Sequence, residues 1–223
     1  MIVVHHLNNS RSQRVLVLLE ELGLDYEVVN YTRMPGSGFA PADLRKIHPL
    51  GKAPVIVDGD LVLAESGAII EYLLGTYGDS NLVPPVGSPE HVRYLYWMHY
   101  AEGSAMPYLL LKLIFDQIET GPVPFFVRPV VRGLARAVKS SLVDPQLGLH
   151  LDFIEAEMAG RPWFAGEQFT AADIQMSFPI EAAAARAGLD ASRPNLMAFL
   201  QRLHARPAWS RAIVRGGAYD LGA

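Results

Sequence analysis

Two serines lie in a polar segment between an apparent strand and an apparent helix. The segment reads Asn-Asn-Ser-Arg-Ser-Gln-Arg over residues 8–14. Polar residues at such a junction reach the end of the sheet, where open α/β folds bind their ligands. The hydroxyl of Ser10 or of Ser12 could therefore act on a bound molecule, although capping the following helix is the more frequent role of a serine at this position.

A second junction of this kind contains Glu65 and Ser66, within the sequence VLAESGAII of residues 62–70. Ser66 would place its hydroxyl beside the free backbone N–H groups at a helix N-terminus, an arrangement that favours an anion such as a carboxylate. Simple helix capping by either residue is again the alternative.

A third segment, Lys-Ala-Pro-Val over residues 52–55, opens a short strand with Pro54. A proline is tolerated there at a sheet edge or in a tight turn, and its peptide bond could be cis or trans. Lys52 alone would be read as a solvated charge.

The pattern along the chain predicts the elements that hold these segments. Apolar runs and helical stripes follow the order β-α-β-α-β-β-α over residues 1–78, and Asp-Gly at residues 58–59 predicts a hairpin that makes the sheet mixed. Three prolines and two glycines mark a linker over residues 78–89. Residues 89–223 carry helical patterns, including a long stretch over residues 91–119 with a bend at Pro107. We therefore expect an α/β domain at 1–78 and an all-α domain at 89–223.

Composition narrows the functional classes. The chain has 223 residues and a net charge of −4, so it lacks the basic surplus that nucleic-acid binding requires. It has no cysteine, which excludes disulfides, a cysteine nucleophile and thiolate metal sites. We expect no metal, no membrane-spanning segment and no signal peptide, and hence a cytoplasmic protein.

Taken in order, the three segments resemble the N-terminal domain of cytosolic glutathione S-transferases. The resemblance is carried by SRSQRVLVLLEELGLDYE, KIHPLGKAPVI and LAESGAIIEYL, and by WFAGEQFTAADIQMSFPI in the second half, where Thr170 and Asp173 form a capping-box pattern. It covers nearly the whole chain and is closest to the serine-type, theta-like group with its fungal and bacterial members. The family implies a thioredoxin-like first domain with a four-stranded mixed sheet, followed by the helical domain.

The resemblance also implies how glutathione would bind. Ser66 would bind the γ-glutamyl carboxylate and Glu65 would face the ammonium group. Val55, after a cis Pro54, would pair through its backbone with the cysteinyl unit, and Lys52 would reach the glycine carboxylate. One cation, one helix N-terminus and one anion would thus meet a ligand with two carboxylates and one ammonium group.

Catalysis in this family needs the glutathione thiolate, which a hydroxyl at the start of the first helix stabilises by a hydrogen bond. Ser10 is the first candidate for this hydroxyl, because it precedes Arg14 by four residues as in the family pattern. Ser12 is the second candidate, and Asn9 could also reach the sulfur.

For the second substrate, a hydrophobic electrophile, the resemblance implies a pocket in the helical domain. Tyr100 and Tyr108 are the candidates for its wall. The family is normally homodimeric. The expected function is conjugation of glutathione to the electrophile; a glutathione-dependent hydroperoxide reductase and a non-catalytic glutathione- or ligand-binding protein are the alternatives.

Overall fold

The first part of the chain forms a four-stranded mixed sheet with its helices. A computed structural model describes residues 1–34, 39–78 and 81–221 of the chain. The strands are β1 (Ile2–Leu7), β2 (Tyr26–Tyr31), β3 (Val55–Asp58) and β4 (Leu61–Ala64), with helices α1 (Gln13–Leu22) and α2 (Ser66–Tyr77) and a 3-10 turn at Ala42–Lys46. The predicted order β-α-β-α-β-β-α is confirmed, with the second helical element reduced to the 3-10 turn.

The sheet has the strand order β2-β1-β3-β4. Strands β1 and β2 are parallel, whereas β3 is antiparallel to both β1 and β4. The carboxyl ends of β1, β2 and β4 and the amino end of β3 therefore meet at one edge of the sheet. This edge carries all three segments that the sequence singles out.

The described residues beyond the sheet form helices and connecting loops, which confirms the predicted combination of a mixed-sheet domain with a helical one. The helices are α3 (Pro89–Tyr100), α4 (Met106–Thr120), α5 (Arg128–Val138), α6 (Asp144–Glu157), α7 (Ala171–Arg186), α8 (Pro194–His204) and α9 (Pro207–Gly216). Among the described residues, no helix is long and apolar enough to cross a membrane. Residues 79–80 of the predicted linker and 222–223 of the predicted second domain lie outside this description.

Two π-helical turns join consecutive helices, and the first of them interrupts the long helical stretch predicted over residues 91–119. Residues Ala101–Ala105 join α3 to α4 immediately before Pro107, where a bend is predicted, and Lys139–Val143 join α5 to α6. A proline cannot donate the backbone hydrogen bond of a regular helix, so a local change of helical geometry beside it is expected. The predicted capping box is also present, since the Asp173 carboxylate accepts from the Thr170 backbone N–H at 2.7 Å.

Helices from the second half hold α1 in place. The Arg14 side chain is fully buried, donates to Glu102 of the first π turn at 2.5 Å and donates to Gln175 of α7 at 3.2 Å. Helix α9 lies against α1 so closely at Gly216 that a Cβ there would come within 2.6 Å of the Leu16 side chain. These contacts fix the start of α1, where the serines lie.

Candidate active site

The chemistry-bearing segments are brought together by the strand pairing. In the sheet, Val55 lies opposite both His5 of β1 and Ala64 of β4. Extended by one residue, this register places Pro54 between the end of β1 and Glu65. The Ala53–Pro54 peptide bond is cis. Across the sheet edge the order is thus Arg33 after β2, Ser10 after β1, Pro54 before β3 and Glu65 after β4.

Ser10 and Ser12 have different surroundings although only one residue separates them. Their hydroxyl oxygens are 2.7 Å apart, and the Ser10 oxygen also accepts from the Ser12 backbone N–H at 3.2 Å. Ser10 lines a cavity, whereas Ser12 does not line it and is fully buried. Of the two hydroxyls, that of Ser10 is therefore the one placed to meet a bound molecule.

A buried histidine continues the hydrogen-bonded chain behind Ser12. The Ser12 hydroxyl lies 2.9 Å from His6 Nδ1 and accepts from the Leu7 backbone N–H at 3.2 Å. Burial lowers the pKa of His6 to about 4, against a smaller opposing effect of its hydrogen bond to the backbone of Gly216. His6 is therefore neutral near pH 7. The Ser12 hydroxyl lies within hydrogen-bond distance of two acceptors, His6 Nδ1 at 2.9 Å and the Leu7 carbonyl oxygen at 3.2 Å. Because Ser12 has these acceptors for its own proton, the Ser10 hydroxyl can donate either to Ser12 or to a bound acceptor.

Glu65 and Ser66 lie at the start of α2. Ser66 is buried, with 5% of its surface exposed. Because it is the first residue of that helix, its backbone N–H has no acceptor within the helix. Glu65 has φ +74°, a backbone conformation that non-glycine residues rarely adopt. Such backbone strain clusters at functional sites, where the surrounding structure maintains it.

A cavity of about 450 Å³ opens between the sheet edge and helices α4 and α7. Lys52, Ala53, Asn9 and Ser10 line it, whereas Pro54, Val55, Glu65 and Ser66 lie along the sheet edge outside its lining. Asn9 has φ +50°, and its side-chain oxygen accepts from the backbone N–H of Asp220 at 2.8 Å. That contact occupies the side-chain amide oxygen of Asn9 and connects the end of the described chain to the cavity.

Neither tyrosine predicted for the second-substrate pocket lines this cavity. The Tyr100 ring packs against Trp97 and Phe153, with centroids 5.1 and 5.8 Å away, and its hydroxyl pairs with His150. The Tyr108 ring lies 5.2 Å from the same histidine. Both rings therefore pack beside His150 rather than on this cavity.

Helices α4 and α7 present other residues to the cavity. The α4 residues are apolar and follow helical spacing: Met106, Leu109, Leu110 and Leu113. The α7 residues recur every fourth position: Phe178, Ala182 and Arg186. The apolar stripe of α4 is a sequence signal for this wall, whereas the prediction of Tyr100 and Tyr108 rested on the clustering of aromatic residues along one long helix.

Comparisons with known proteins identify the family of the chain. Residues 1–75 match the family model of the glutathione S-transferase N-terminal domain, and residues 136–207 match that of its C-terminal domain. Glutathione S-transferase 3 of Schizosaccharomyces pombe is 43% identical over 183 residues, which cover 82% of this chain and 74% of that protein. Glutathione S-transferase 1 of Saccharomyces cerevisiae is 32% identical over 82% of this chain and 81% of its own length.

Solved structures show the same fold. A glutathione S-transferase of Actinobacillus pleuropneumoniae superimposes with a TM-score of 0.80 at 35% identity, covering 99% of this chain and 95% of that one. A glutathione transferase homologue of Sulfitobacter with bound glutathione gives a TM-score of 0.76 at 20% identity, covering 97% and 98% of the two chains. The sheet-edge site, the two matched domains and these relatives together show that the chain belongs to the glutathione S-transferase family and is a glutathione transferase enzyme.

Proposed function

We propose that this enzyme conjugates reduced glutathione to hydrophobic electrophiles through a thiolate that Ser10 stabilises. The observation that carries the proposal is the position of Ser10. Its hydroxyl lies at the start of α1, faces the cavity, and is the cavity-side member of a hydrogen-bonded serine pair. An apolar wall from α4 lines the same cavity. A thiolate beside Ser10 would thus lie next to the surface that an apolar substrate requires.

Glutathione would lie along the sheet edge, from Ser10 to the start of α2. Ser66 would receive the γ-glutamyl carboxylate with its hydroxyl and its free backbone N–H, while the strained Glu65 would present its carboxylate to the ammonium group. Val55, which follows the cis peptide bond, would pair with the cysteinyl backbone. Lys52, on the cavity wall, would bind the glycine carboxylate.

The reaction follows from the ionisation of the thiol. A free thiol has a pKa of about 8.5, so only a few per cent is thiolate near neutral pH. A hydrogen bond from Ser10 to the charged form would lower that pKa. The sulfur then attacks an electrophilic carbon: the S–C bond forms while, with an aryl halide, the C–halogen bond breaks and the halide leaves with the electron pair. Ser12 is buried behind Ser10 and would position it. On this proposal the enzyme would be a serine-type member of its family.

The direct test combines a calorimetric titration with glutathione and rate assays with 1-chloro-2,4-dinitrobenzene and cumene hydroperoxide. Saturable binding with faster turnover of the aryl halide would support the proposal. Faster turnover of the hydroperoxide would favour the reductase, and binding without turnover would favour a ligand-binding protein. Absence of binding at millimolar glutathione would contradict the proposed subsites.

A further inference from the structure

The cavity has a charge opposite to that of the protein. The chain as a whole carries a net charge of −4. Yet none of the described residues that line the cavity is acidic, and five of them are cationic: Arg11, Arg33, Arg45, Lys52 and Arg186. A partly enclosed cavity concentrates the field of such charges, so this one attracts anions.

Not all of these cations are needed for glutathione. Arg11 already lies 3.5 Å from the Glu102 carboxylate. Lys52 and Arg45 flank the loop before β3, where the proposed subsite for the glycine carboxylate lies. Arg186, in contrast, makes no hydrogen bond or ion pair within the described part of the chain, although it is only partly exposed. Its guanidinium is therefore the cation that remains for another anion.

The sheet topology separates Arg33 from the glutathione subsites. Along the sheet edge, glutathione would extend from β1 through β3 to β4, because Ser10, Pro54 and Ser66 follow that order. Arg33 follows β2 on the other side of β1, and its guanidinium donates to the backbone carbonyl oxygen of Asn9 at 3.0 Å. Burial lowers the pKa of Arg33, and the charge of Arg186 lowers it further. Arg33 thus lies on the side of Ser10 opposite to the glutathione subsites, and Arg186 lines the same cavity close enough for its charge to act on Arg33.

Helix α7 joins this cationic end to the apolar wall. Phe178, Ala182 and Arg186 are spaced by four residues and line the cavity together, so they form one row along the helix. The row is apolar at Phe178 and ends in the guanidinium of Arg186, about two helical turns further along α7. A molecule that lies along it would meet an apolar surface first and a charged hydrogen-bond donor at its end.

From this geometry we infer that the second substrate is an amphipathic electrophile that carries a carboxylate, which Arg186 binds, at the end remote from its reactive carbon. The inference rests on the proposed function, because it assigns the space beside Ser10 to the electrophile. It predicts selectivity between an acid and its neutral counterpart of the same shape. A planar carboxylate suits the paired donors of a guanidinium.

A matched pair of aryl chlorides tests the inference: 4-chloro-3-nitrobenzoate and 4-chloro-3-nitrobenzamide. In both, the glutathione sulfur would displace chloride from the same ring carbon, so the compounds differ mainly in the charge at the far end. Each kcat/KM is divided by the uncatalysed rate with glutathione, which removes the difference in intrinsic reactivity. Wild-type protein should then favour the benzoate, and Arg186→Gln should lower its value about tenfold while leaving that of the benzamide unchanged.

Arg128→Gln is the control, because Arg128 is an exposed cation at the start of α5 that does not line the cavity. Arg128→Gln should leave kcat/KM unchanged for both the benzoate and the benzamide. Calorimetric binding of 4-nitrobenzoate and 4-nitrobenzamide, to protein saturated with S-methylglutathione, gives the same comparison without turnover.

The inference would be overturned if Arg186→Gln affected both compounds equally or neither. It would also be overturned if the variant bound glutathione about tenfold more weakly, because Arg186 would then belong to the glutathione site. Turnover of the benzamide alone would leave the proposed transferase intact while removing the acid preference. Failure of the wild-type protein to bind glutathione would instead contradict the proposed function itself.

Discussion

The hydroxyl oxygens of Ser10 and Ser12 lie 2.7 Å apart, but Ser10 alone of the two faces the cavity. Ser12 is enclosed by Ser10, His6 and the backbone of Leu7. The sequence left the thiol-activating role open between these two serines. On the proposed function, the Ser10 hydroxyl would contact the ligand and Ser12 would hold Ser10 in place.

Ser12→Ala should therefore act first on stability. The substitution leaves the buried His6 Nδ1 without a donor and removes the acceptor of the Leu7 N–H. We expect the free energy of unfolding to fall by about 1–3 kcal/mol, the cost of leaving a buried polar group unpaired. Chemical denaturation measures this, with the exposed Ser140→Ala as the control. A variant as stable as the wild type would show that the chain behind Ser10 contributes little.

Ser66→Ala should weaken glutathione binding without preventing turnover. The variant loses one hydrogen bond to a carboxylate, which corresponds to a Kd about tenfold higher. The backbone N–H groups of α2 remain to bind the anion, so saturating glutathione should restore the rate. Calorimetric titration of Ser66→Ala with glutathione checks this expectation, and the control Ser140→Ala should bind like the wild type. An unaltered Kd would assign Ser66 to helix capping alone.

His6 should make the protein less stable as the pH falls. Its pKa is about 4 in the folded state and about 6.5 in an unfolded chain, so below about pH 6.5 the unfolded state binds a proton that the folded state does not. This contribution is fully present above about pH 6.5 and is lost as the pH falls towards 4. From about pH 7 to about pH 5 the loss amounts to about 2 kcal/mol.

Denaturation of the wild type and of His6→Gln at the two pH values isolates this effect. Whatever its stability at pH 7, the variant lacks the titrating ring and should lose about 2 kcal/mol less than the wild type over the same interval. Equal losses in both proteins would mean that His6 is protonated as readily in the folded state as in the unfolded one.

Much of the fold followed from the sequence because the signals were local. Alternation between strand and helix patterns, the Asp58-Gly59 hairpin and the Thr170–Asp173 capping box each involve residues close together in the chain. The same holds for the segments at Ser10, Pro54 and Ser66, which reach one sheet edge once the strand order is known.

The wall proposed for the second substrate could not be predicted in this way, because it depends on which face of each helix meets the cavity. Tyr100 and Tyr108 turn towards His150, while Met106 and Leu109 of α4 take the wall. The partners that decide this orientation lie some fifty residues away in the chain. Neither the burial of Arg14 against Glu102 nor the approach of Arg186 to Arg33 had a local signal in the sequence.

The central claim is tested most directly by the pKa of the glutathione thiol when bound, measured from thiolate absorbance against pH for the wild type and Ser10→Ala. We expect the wild type to hold this pKa at least about one pH unit below the free value of about 8.5. Ser10→Ala should return it towards that value and lower turnover at least about tenfold, with glutathione still bound. An unchanged thiol pKa and a wild-type rate in Ser10→Ala would contradict the account and leave Ser12 or Asn9 as the activating residue.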